Sequence, residues 1–219
     1  MGSEKLEEYL ESIYKLHSEH RHVGISQLAE NLKLTPASVT EMISKLVEKK
    51  LAIKTEKKNI KLTEKGEKQA VELIRRHRLV ERFFTDFLKL KWETVHEDAC
   101  KFEHVLTKEI SDALEQFMNH PTTCPHGHPI PDVKGKTAKQ DAKPLTSLKP
   151  AQSGVIARIA EESREFLKYL ATLGLIPQIV IKVEQIAPFN GPYLIKVGNS
   201  SYALGREVAS KIWVREVTG

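Results

Sequence analysis

The sequence predicts a mainly α protein with a C-terminal β domain, and three observations support this fold class. Apolar residues recur at three- and four-residue intervals through much of the first 118 residues, as on the buried face of an amphipathic helix. Six of the ten prolines lie within residues 119–153, which indicates a break in the regular pattern. Beyond Gly154 the pattern changes to several short β-type runs, which predict a small barrel.

The length of 219 residues is typical of one or two domains, and the composition is typical of a globular chain. It is 40% hydrophobic and 29% charged, with a net charge of +5, which excludes wholesale disorder. No apolar run approaches the ~18 residues that cross a bilayer, and the N-terminus lacks an apolar signal core. We therefore expect a cytoplasmic protein without a membrane partner. Its two cysteines, Cys100 and Cys124, are expected to be thiols or metal ligands, not a disulfide framework.

The first 64 residues predict a winged helix-turn-helix. Apolar spacing indicates a helix over 4–20 and a short helix over 25–32 with Ser26 as a possible N-cap. A third helix opens at Thr35-Pro36, a capping residue followed by proline. Two short β-type runs, LAIKT and NIKLT, then form a predicted hairpin with residues 56–58 at its tip.

This arrangement is typical of DNA-binding modules, in which the third helix enters a major groove. Residues 45–61 contain seven lysines against two glutamates, a local surplus that favours a polyanion contact. A protein-binding winged helix is the alternative, and the short polar outer face of the third helix favours DNA. The candidate DNA-binding residues are Thr35, Pro36, Ser38, Thr40, Glu41 and Lys45 on the third helix, with Lys57 and Lys58 on the hairpin.

Two long helices are predicted next, at about 64–89 and 93–118, and they carry side chains that bind metals. His77 and Glu81 share one helix face because four residues separate them. The second helix places four more such groups within about a quarter-turn: His96, Cys100, Glu103 and His104. Imidazole, thiolate and carboxylate are ligands of first-row transition metals. Each residue alone could be an ordinary core residue, but their coincidence favours a metal site.

The segment HEDAC offers a different function. It resembles the zinc-protease pattern HExxH with the second histidine replaced by Cys100, which would make the chain a zinc hydrolase with an appended winged helix. However, Glu97, the would-be general base, lies off the face that the other groups share. We therefore expect no enzyme activity.

The stretch IRRHRLVERFFTDFLKLKWETVHEDACKFEHVLTKEIS, together with CPHGHPIP, resembles the diphtheria toxin repressor family of metal-dependent transcriptional repressors. The resemblance implies a winged helix at 1–64, a helical dimerisation and metal-binding domain at 65–140, a linker at 141–152 and an SH3-like domain at 153–219. It further implies a homodimer that represses iron or manganese homeostasis genes by binding a palindromic operator.

The resemblance also divides the ligands between two sites. A primary, activating site is implied at Glu8, Glu11, Cys100, Glu103 and His104. An ancillary site is implied at His77, Glu81, His96, Glu162 and Glu165. Cys124, His126 and His128 could form an extra cluster, but the family's similar loop favours a structural role.

The expected metal is Fe(II), because Cys100 supplies a soft thiolate where the manganese-responsive branch has a glutamate. Mn(II) is the second choice, because the first helix carries two carboxylates. Co(II), Ni(II) or Zn(II) are expected to substitute in vitro, since raw affinity follows the Irving–Williams order.

Overall fold

The computed structural model describes residues 2–19 and 22–217, so residue 20 of the predicted first helix lies outside the described residues. The chain divides into two compact units. Unit 1 contains residues 1–77, 103–106 and 131–136, and unit 2 contains the rest. No helix within the described residues is long and apolar enough to cross a membrane.

Unit 1 begins with three helices and a hairpin. In chain order these elements are α1 Gly2–Glu19, α2 Ile25–Leu32, α3 Pro36–Glu48, β1 Ala52–Lys54 and β2 Ile60–Leu62. The two strands pair antiparallel, with Ile53 opposite Lys61. Apolar side chains from all five elements form one core that includes Leu10, Leu28 and Ile43. These elements form the winged helix-turn-helix that the sequence predicts.

The N-termini of α2 and α3 are capped in different ways. The Thr35 side chain accepts a hydrogen bond from the Ser38 N–H at 3.2 Å, and Pro36 takes the first helical position, as predicted. The predicted Ser26 cap is wrong, because α2 starts at Ile25 and its N-cap lies two residues before Ser26. Gly24 is its N-cap, and the Gln27 side chain accepts from the Gly24 N–H.

The helix α4 Glu64–Asp86 is followed by two helices, α5 Val95–Phe102 and α6 Lys108–Phe117, where the sequence predicts one. The prediction of one helix to about residue 118 is wrong because Thr107 caps a new helix, accepting from the Ile110 N–H. Glu103 and His104 therefore lie beyond the end of α5 and do not share its helical face. The division between the units falls within α4, after His77.

The C-terminal part of unit 2 is a six-stranded antiparallel sheet in the order β3-β8-β4-β5-β6-β7. Its strands are β3 Lys143–Pro144, β4 Ser153–Ile159, β5 Val180–Ile186, β6 Tyr193–Val197, β7 Ser200–Leu204 and β8 Ile212–Val217. The helices α7 Arg164–Thr172 and α8 Arg206–Lys211 cover its core, which includes Ile156, Leu170 and Ile195. This is the predicted small β domain.

The β domain begins earlier than the sequence analysis proposed. Lys143 and Pro144 pair with β8, and the side chains of Leu145 and Leu148 are buried in the core. Most of the predicted linker at 141–152 is therefore part of the β domain. The sequence of this segment is rich in lysine and weakly apolar, and Leu145 and Leu148 are its only buried residues. Its composition therefore resembles that of a linker.

Candidate metal centres and DNA interface

A buried cluster in unit 2 contains four groups that can ligate a metal. Glu81 from α4, Cys124 and His126 from the loop after α6, and Glu162 from the segment after β4 each provide one ligand atom, all within 4.8 Å of one another. Glu81 and His126 are fully buried, and Nδ1 of His126 lies 3.1 Å from Oε1 of Glu81. Metal–ligand bonds of ~2.0–2.3 Å allow such separations between ligand atoms, so the group fits a first-row transition metal.

The loop that carries Cys124 and His126 is a compact turn. The Cys124 N–H donates to the His128 carbonyl, and the Gly127 N–H donates to the Cys124 carbonyl. Gly127 has a φ of +90°, and a Cβ there would lie 2.0 Å from the Ala157 carbonyl oxygen. Only glycine fits this close approach, which presses the turn against β4.

Hydrogen bonds outside the turn fix the ring of His126. Its Nε2 lies 3.0 Å from the carbonyl oxygen of Trp92, and the Trp92 indole N–H donates to the Pro125 carbonyl. The ring is thereby oriented with Nδ1 toward Glu81 and Glu162. An oriented ring is what a histidine ligand requires.

The electrostatics of the cluster favour a cation. Burial alone lowers the pKa of His126, but the charge of Glu81 and hydrogen bonds from the His126 ring to Cys124 and Glu162 raise it well above its usual value. Burial raises the pKa of the Cys124 thiol, with a further rise from Glu81. The pKa of Glu162 is held well below its usual value, because nearby His128, His96 and His126 outweigh its burial. A metal ion would replace the protons on His126 and Cys124.

We therefore expect the affinity of this cluster for Co(II) to rise as the pH increases, with protons released on binding. The sign follows from the raised pKa of His126 and of Cys124, which favours the protonated form of both in the metal-free protein. Titration calorimetry in two buffers of different ionisation enthalpy measures the released protons. A pH-independent affinity would contradict this assignment.

The predicted ancillary residues fall in different places. Glu81, His96 and Glu162 come together in unit 2, with Nδ1 of His96 at 3.1 Å from Oε1 of Glu81 and 3.6 Å from Oε2 of Glu162. Glu165 is exposed in the first turn of α7 and is absent from the cluster of described ligand groups. His77 belongs to unit 1.

Sequence analysis did not include Cys124 and His126 among the ligands. The signal was present in the spacing Cys-x-His, which places two ligands on one turn. The sequence could not show that this turn packs against Glu81, which lies 45 residues earlier.

A second group of ionisable side chains lies in unit 1. Nδ1 of His104 is 2.7 Å from Oε2 of Glu7, and its Nε2 is 3.6 Å from Oε1 of Glu103. Glu103 is buried, and its other oxygen lies 2.5 Å from Nδ1 of His77. The charge of Glu11 acts on Glu103 as well. Carboxylates and imidazoles from α1, α4 and the segment after α5 therefore converge, and this donor set suits Fe(II) or Mn(II).

Burial and neighbouring charges shift the pKa of two side chains in this second group. Burial raises the pKa of Glu103, although His77 and His104 oppose that effect. Burial lowers the pKa of His104, but its hydrogen bond to Glu7 and the charges of Glu103 and Glu8 raise it overall.

The first-helix contact differs in detail from the resemblance. Glu7 contacts His104, whereas Glu8 is exposed and acts on that ring only through its charge. Glu7 and Glu11 are four residues apart and share a helix face, a spacing that could have identified Glu7. Cys100 belongs to unit 2, where its Sγ lies 3.8 Å from Nε2 of His96.

The candidate DNA interface consists of α3 and the β1–β2 hairpin in unit 1. Along α3, Ser38, Thr40, Glu41 and Lys45 are exposed, as the prediction requires. Glu41 and Lys45 form an ion pair at 2.7 Å, which lowers the pKa of the Glu41 carboxyl. The Thr40 hydroxyl donates to the Pro36 carbonyl, so its oxygen is partly engaged within the helix.

Thr35 has a structural role besides any DNA contact. Because it caps α3, replacing it with alanine is expected to cost about 1 kcal/mol of stability. An effect of Thr35→Ala on DNA binding would therefore combine the lost helix stability with the loss of any direct DNA contact. Ser38 is exposed, and its hydroxyl lies 3.0 Å from the hydroxyl of Thr35. Ser38→Ala tests a DNA contact without removing the side chain that caps α3.

The hairpin is fixed to the helices through backbone atoms. The Asn59 side chain accepts from the Val23 N–H, and Nε2 of His22 lies 3.0 Å from the Lys57 carbonyl. Lys57 and Lys58 at the tip are exposed, and Lys58 has a φ of +56°. The two ammonium groups are thus held on a defined turn, where they can reach phosphates.

Replacing Lys57 and Lys58 with glutamine is expected to weaken DNA binding uniformly across sequences. Each lost phosphate contact lowers the slope of log K against log salt by roughly one unit. Glutamine keeps a comparable side chain at the positive-φ position, so the turn is preserved. Binding measured over a range of salt concentrations tests this, with Lys182→Gln on β5 as the control. An unchanged salt slope would remove the hairpin from the interface.

Unit 2 also exposes a patch of aromatic side chains. Phe87 and Phe117 have ring centroids 4.9 Å apart and are 45% and 64% exposed. Phe83 stacks on Phe87 at 5.7 Å, and the 49% exposed Phe102 meets Phe84 edge-on at 5.6 Å. Clustered exposed aromatics on neighbouring helices are typical of a protein interface.

Three family models match consecutive parts of the chain. Residues 1–60 match the iron dependent repressor N-terminal DNA binding domain, and residues 63–132 match the iron dependent repressor metal binding and dimerisation domain. Residues 143–216 match the FeoA domain. The last match agrees with a β domain that begins at Lys143.

Individual relatives match the same regions. The iron-dependent repressor IdeR of Mycobacterium leprae is 30% identical over 223 residues, which cover 96% of each chain. The diphtheria toxin repressor of Corynebacterium jeikeium is 34% identical over 127 residues, 58% of this chain and 53% of that one.

Solved structures extend the likeness to the whole fold. A manganese-dependent transcriptional repressor in complex with manganese has a TM-score of 0.90 at 27% identity and covers 97% of this chain and 100% of its own. IdeR of T. acidophilum has a TM-score of 0.79 at 30% identity and covers 96% and 97%. Because both repressor domain models match and IdeR is 30% identical over 96% of the chain, the protein belongs to the diphtheria toxin repressor family of metal-responsive, DNA-binding transcriptional repressors.

Proposed function

We propose that the protein is an iron-activated repressor in which Fe(II) occupies the buried cluster of Glu81, Cys124, His126 and Glu162 and the unit 1 cluster around His104. The observation that carries this proposal is the placement of Cys124, a buried thiol, among two carboxylates and an imidazole. A thiolate ligand favours Fe(II), Co(II), Ni(II) or Zn(II) over Mn(II). Bound metal would supply positive charge beside the buried carboxylates of Glu81 and Glu162.

In unit 1, metal binding would act on the position of α1. Glu7 and Glu11 lie on α1, while Glu103 and His104 follow directly after α5. Ligands from both segments hold α1 to the 103–106 segment, and α1 packs against α2 and α3. The metal thereby orients the recognition helix. Coupling of ~1–3 kcal/mol between metal and DNA corresponds to a ~5–150-fold change in DNA affinity.

The ligand set of this unit 1 cluster is proposed as Glu7, Glu11, Glu103 and His104, with His77 adjacent to Glu103. The assignment of Cys100 and Glu8 as metal ligands stays a prediction from the sequence. We further propose that the exposed aromatic patch forms the homodimer interface. Two recognition helices per dimer would then bind half-sites about 34 Å apart on a palindromic operator that controls iron homeostasis genes.

A manganese-responsive repressor is the second candidate function. The carboxylates of Glu7, Glu11 and Glu103 favour it, because oxygen ligands suit Mn(II). The structural likeness to a manganese-dependent repressor supports it as well. The two candidates differ in which metal activates DNA binding at the lower free concentration.

Anaerobic titration of DNA binding with Fe(II) and with Mn(II) separates the candidates. The probe is a duplex selected from a random-sequence pool by the metal-loaded protein. We expect activation at a lower free concentration of Fe(II), and a shift toward Mn(II) in Cys100→Glu. Activation of the wild type at a lower free concentration of Mn(II) would replace the iron proposal with the manganese one. DNA binding that a chelator leaves unchanged would contradict both.

A further inference from the structure

The loop that carries Cys124 and His126 is closed by one residue pair. Thr123 and Pro129 face each other as an isolated antiparallel bridge, and the Cys124–His128 turn lies between them. The position of this pair therefore sets the position of the whole turn.

Two arginines on α4 bind the carbonyls of this closing pair. Arg82 donates from Nε at 2.9 Å and from Nη2 at 2.6 Å to the Thr123 carbonyl. Arg78 donates from Nη1 to the Pro129 carbonyl at 2.5 Å. The arginines are four residues apart and share a face of α4, so each holds one side of the loop base.

These contacts lie directly beside the proposed ligands. Arg82 follows Glu81 in the chain, and Thr123 precedes Cys124. Two N–H groups of one planar guanidinium converge on one carbonyl oxygen, an arrangement that a lysine ammonium cannot reproduce. The hydrogen bonds between Arg82 and Thr123 therefore fix the distance between α4 and the base of the loop. They do so at positions next to Glu81 and Cys124 in the sequence.

We propose that Arg82, assisted by Arg78, is a positioning residue that sets the metal affinity of the Glu81, Cys124, His126 and Glu162 cluster. It holds the loop so that Cys124 and His126 lie at ligating distance from Glu81 before a metal arrives. Because the loop is already ordered, metal binding does not have to pay the entropic cost of ordering it, and the affinity is higher. The inference rests on the proposed ligand set.

Co(II) binding to a Cys100→Ser protein tests this inference, because the only remaining thiol is Cys124. The thiolate-to-Co(II) absorption band then reports this cluster alone. We expect Arg82→Gln to weaken Co(II) binding about 10–100-fold, as losses around metal ligands do, and to alter the band. Arg82→Lys is expected to recover part of the affinity, because it supplies one donor group. Arg76→Gln is the matched control, since Arg76 is on the same helix and pairs with Glu72.

A purely structural role gives a different result. In that case Arg82→Gln lowers the unfolding temperature of the metal-free protein but leaves Co(II) affinity and the absorption band unchanged, which overturns the inference. If Arg82→Gln does not fold, Arg82→Lys and Arg78→Gln give the same readout. The band of the Cys100→Ser protein itself tests the ligand set. If that protein binds Co(II) without a thiolate-to-Co(II) band, the ligand set is overturned and the inference with it. A band that is present there and unaffected by Arg82→Gln overturns the positioning role alone.

Discussion

Replacing Glu81 with glutamine is expected to lower the affinity of the buried cluster for Fe(II) or Co(II) by at least about 100-fold. Changes beside a metal ligand already cost ~10–100-fold, so loss of a direct ligand exceeds that range. Glu81 is fully buried, and its Oε1 lies 3.1 Å from both His96 and His126. Glutamine keeps the size of the side chain but removes its charge. Equilibrium titration with a competing chelator measures the effect.

Glu72→Gln is the matched control, because Glu72 lies on the same helix and pairs with Arg76 instead of a metal-binding residue. Circular dichroism of both metal-free variants confirms that they are folded. Unchanged metal affinity in a folded Glu81→Gln protein would exclude Glu81 as a ligand.

The second large effect is expected at the aromatic patch. Replacing both Phe87 and Phe117 with glutamate is expected to weaken the dimer by roughly 1,000-fold, or about 4 kcal/mol. The double variant removes four exposed rings from a symmetric interface and introduces four like charges. Sedimentation velocity over a range of protein concentrations measures the dissociation constant. DNA affinity is expected to fall with the dimer, because a monomer binds only one half-site.

Phe189→Glu provides the control for this experiment. Phe189 is fully exposed on a turn of the β domain and belongs to no aromatic cluster among the described residues. It is expected to leave the dimer intact. A Phe87→Glu, Phe117→Glu protein that remains dimeric at the same concentrations would place the interface elsewhere.

The local elements of the fold were predictable where the sequence carries a local signal. Thr35-Pro36 sets the start of α3, because a capping hydroxyl and a fixed φ act within one turn. The predicted continuation of α5 to about residue 118 failed at Thr107, because an apolar period through 103–106 does not reveal where the chain leaves the helix. The burial of Leu145 and Leu148 could not be predicted either, because the strands against which they pack lie far along the chain.

The sequence by itself determined the fold class, the winged helix and the metal-ligand chemistry, because residue type and spacing carry that information. Only the tertiary structure decided which candidate metal ligands lie together. Cys124 and His126 join Glu81 and Glu162 because the turn at Gly127 packs against β4 and two arginines of α4 bind its base. Glu7 reaches His104 because α1 presents that face to the residues after α5. Such contacts join residues 30 to 97 positions apart in the chain, and no local pattern in the sequence predicts which of them meet.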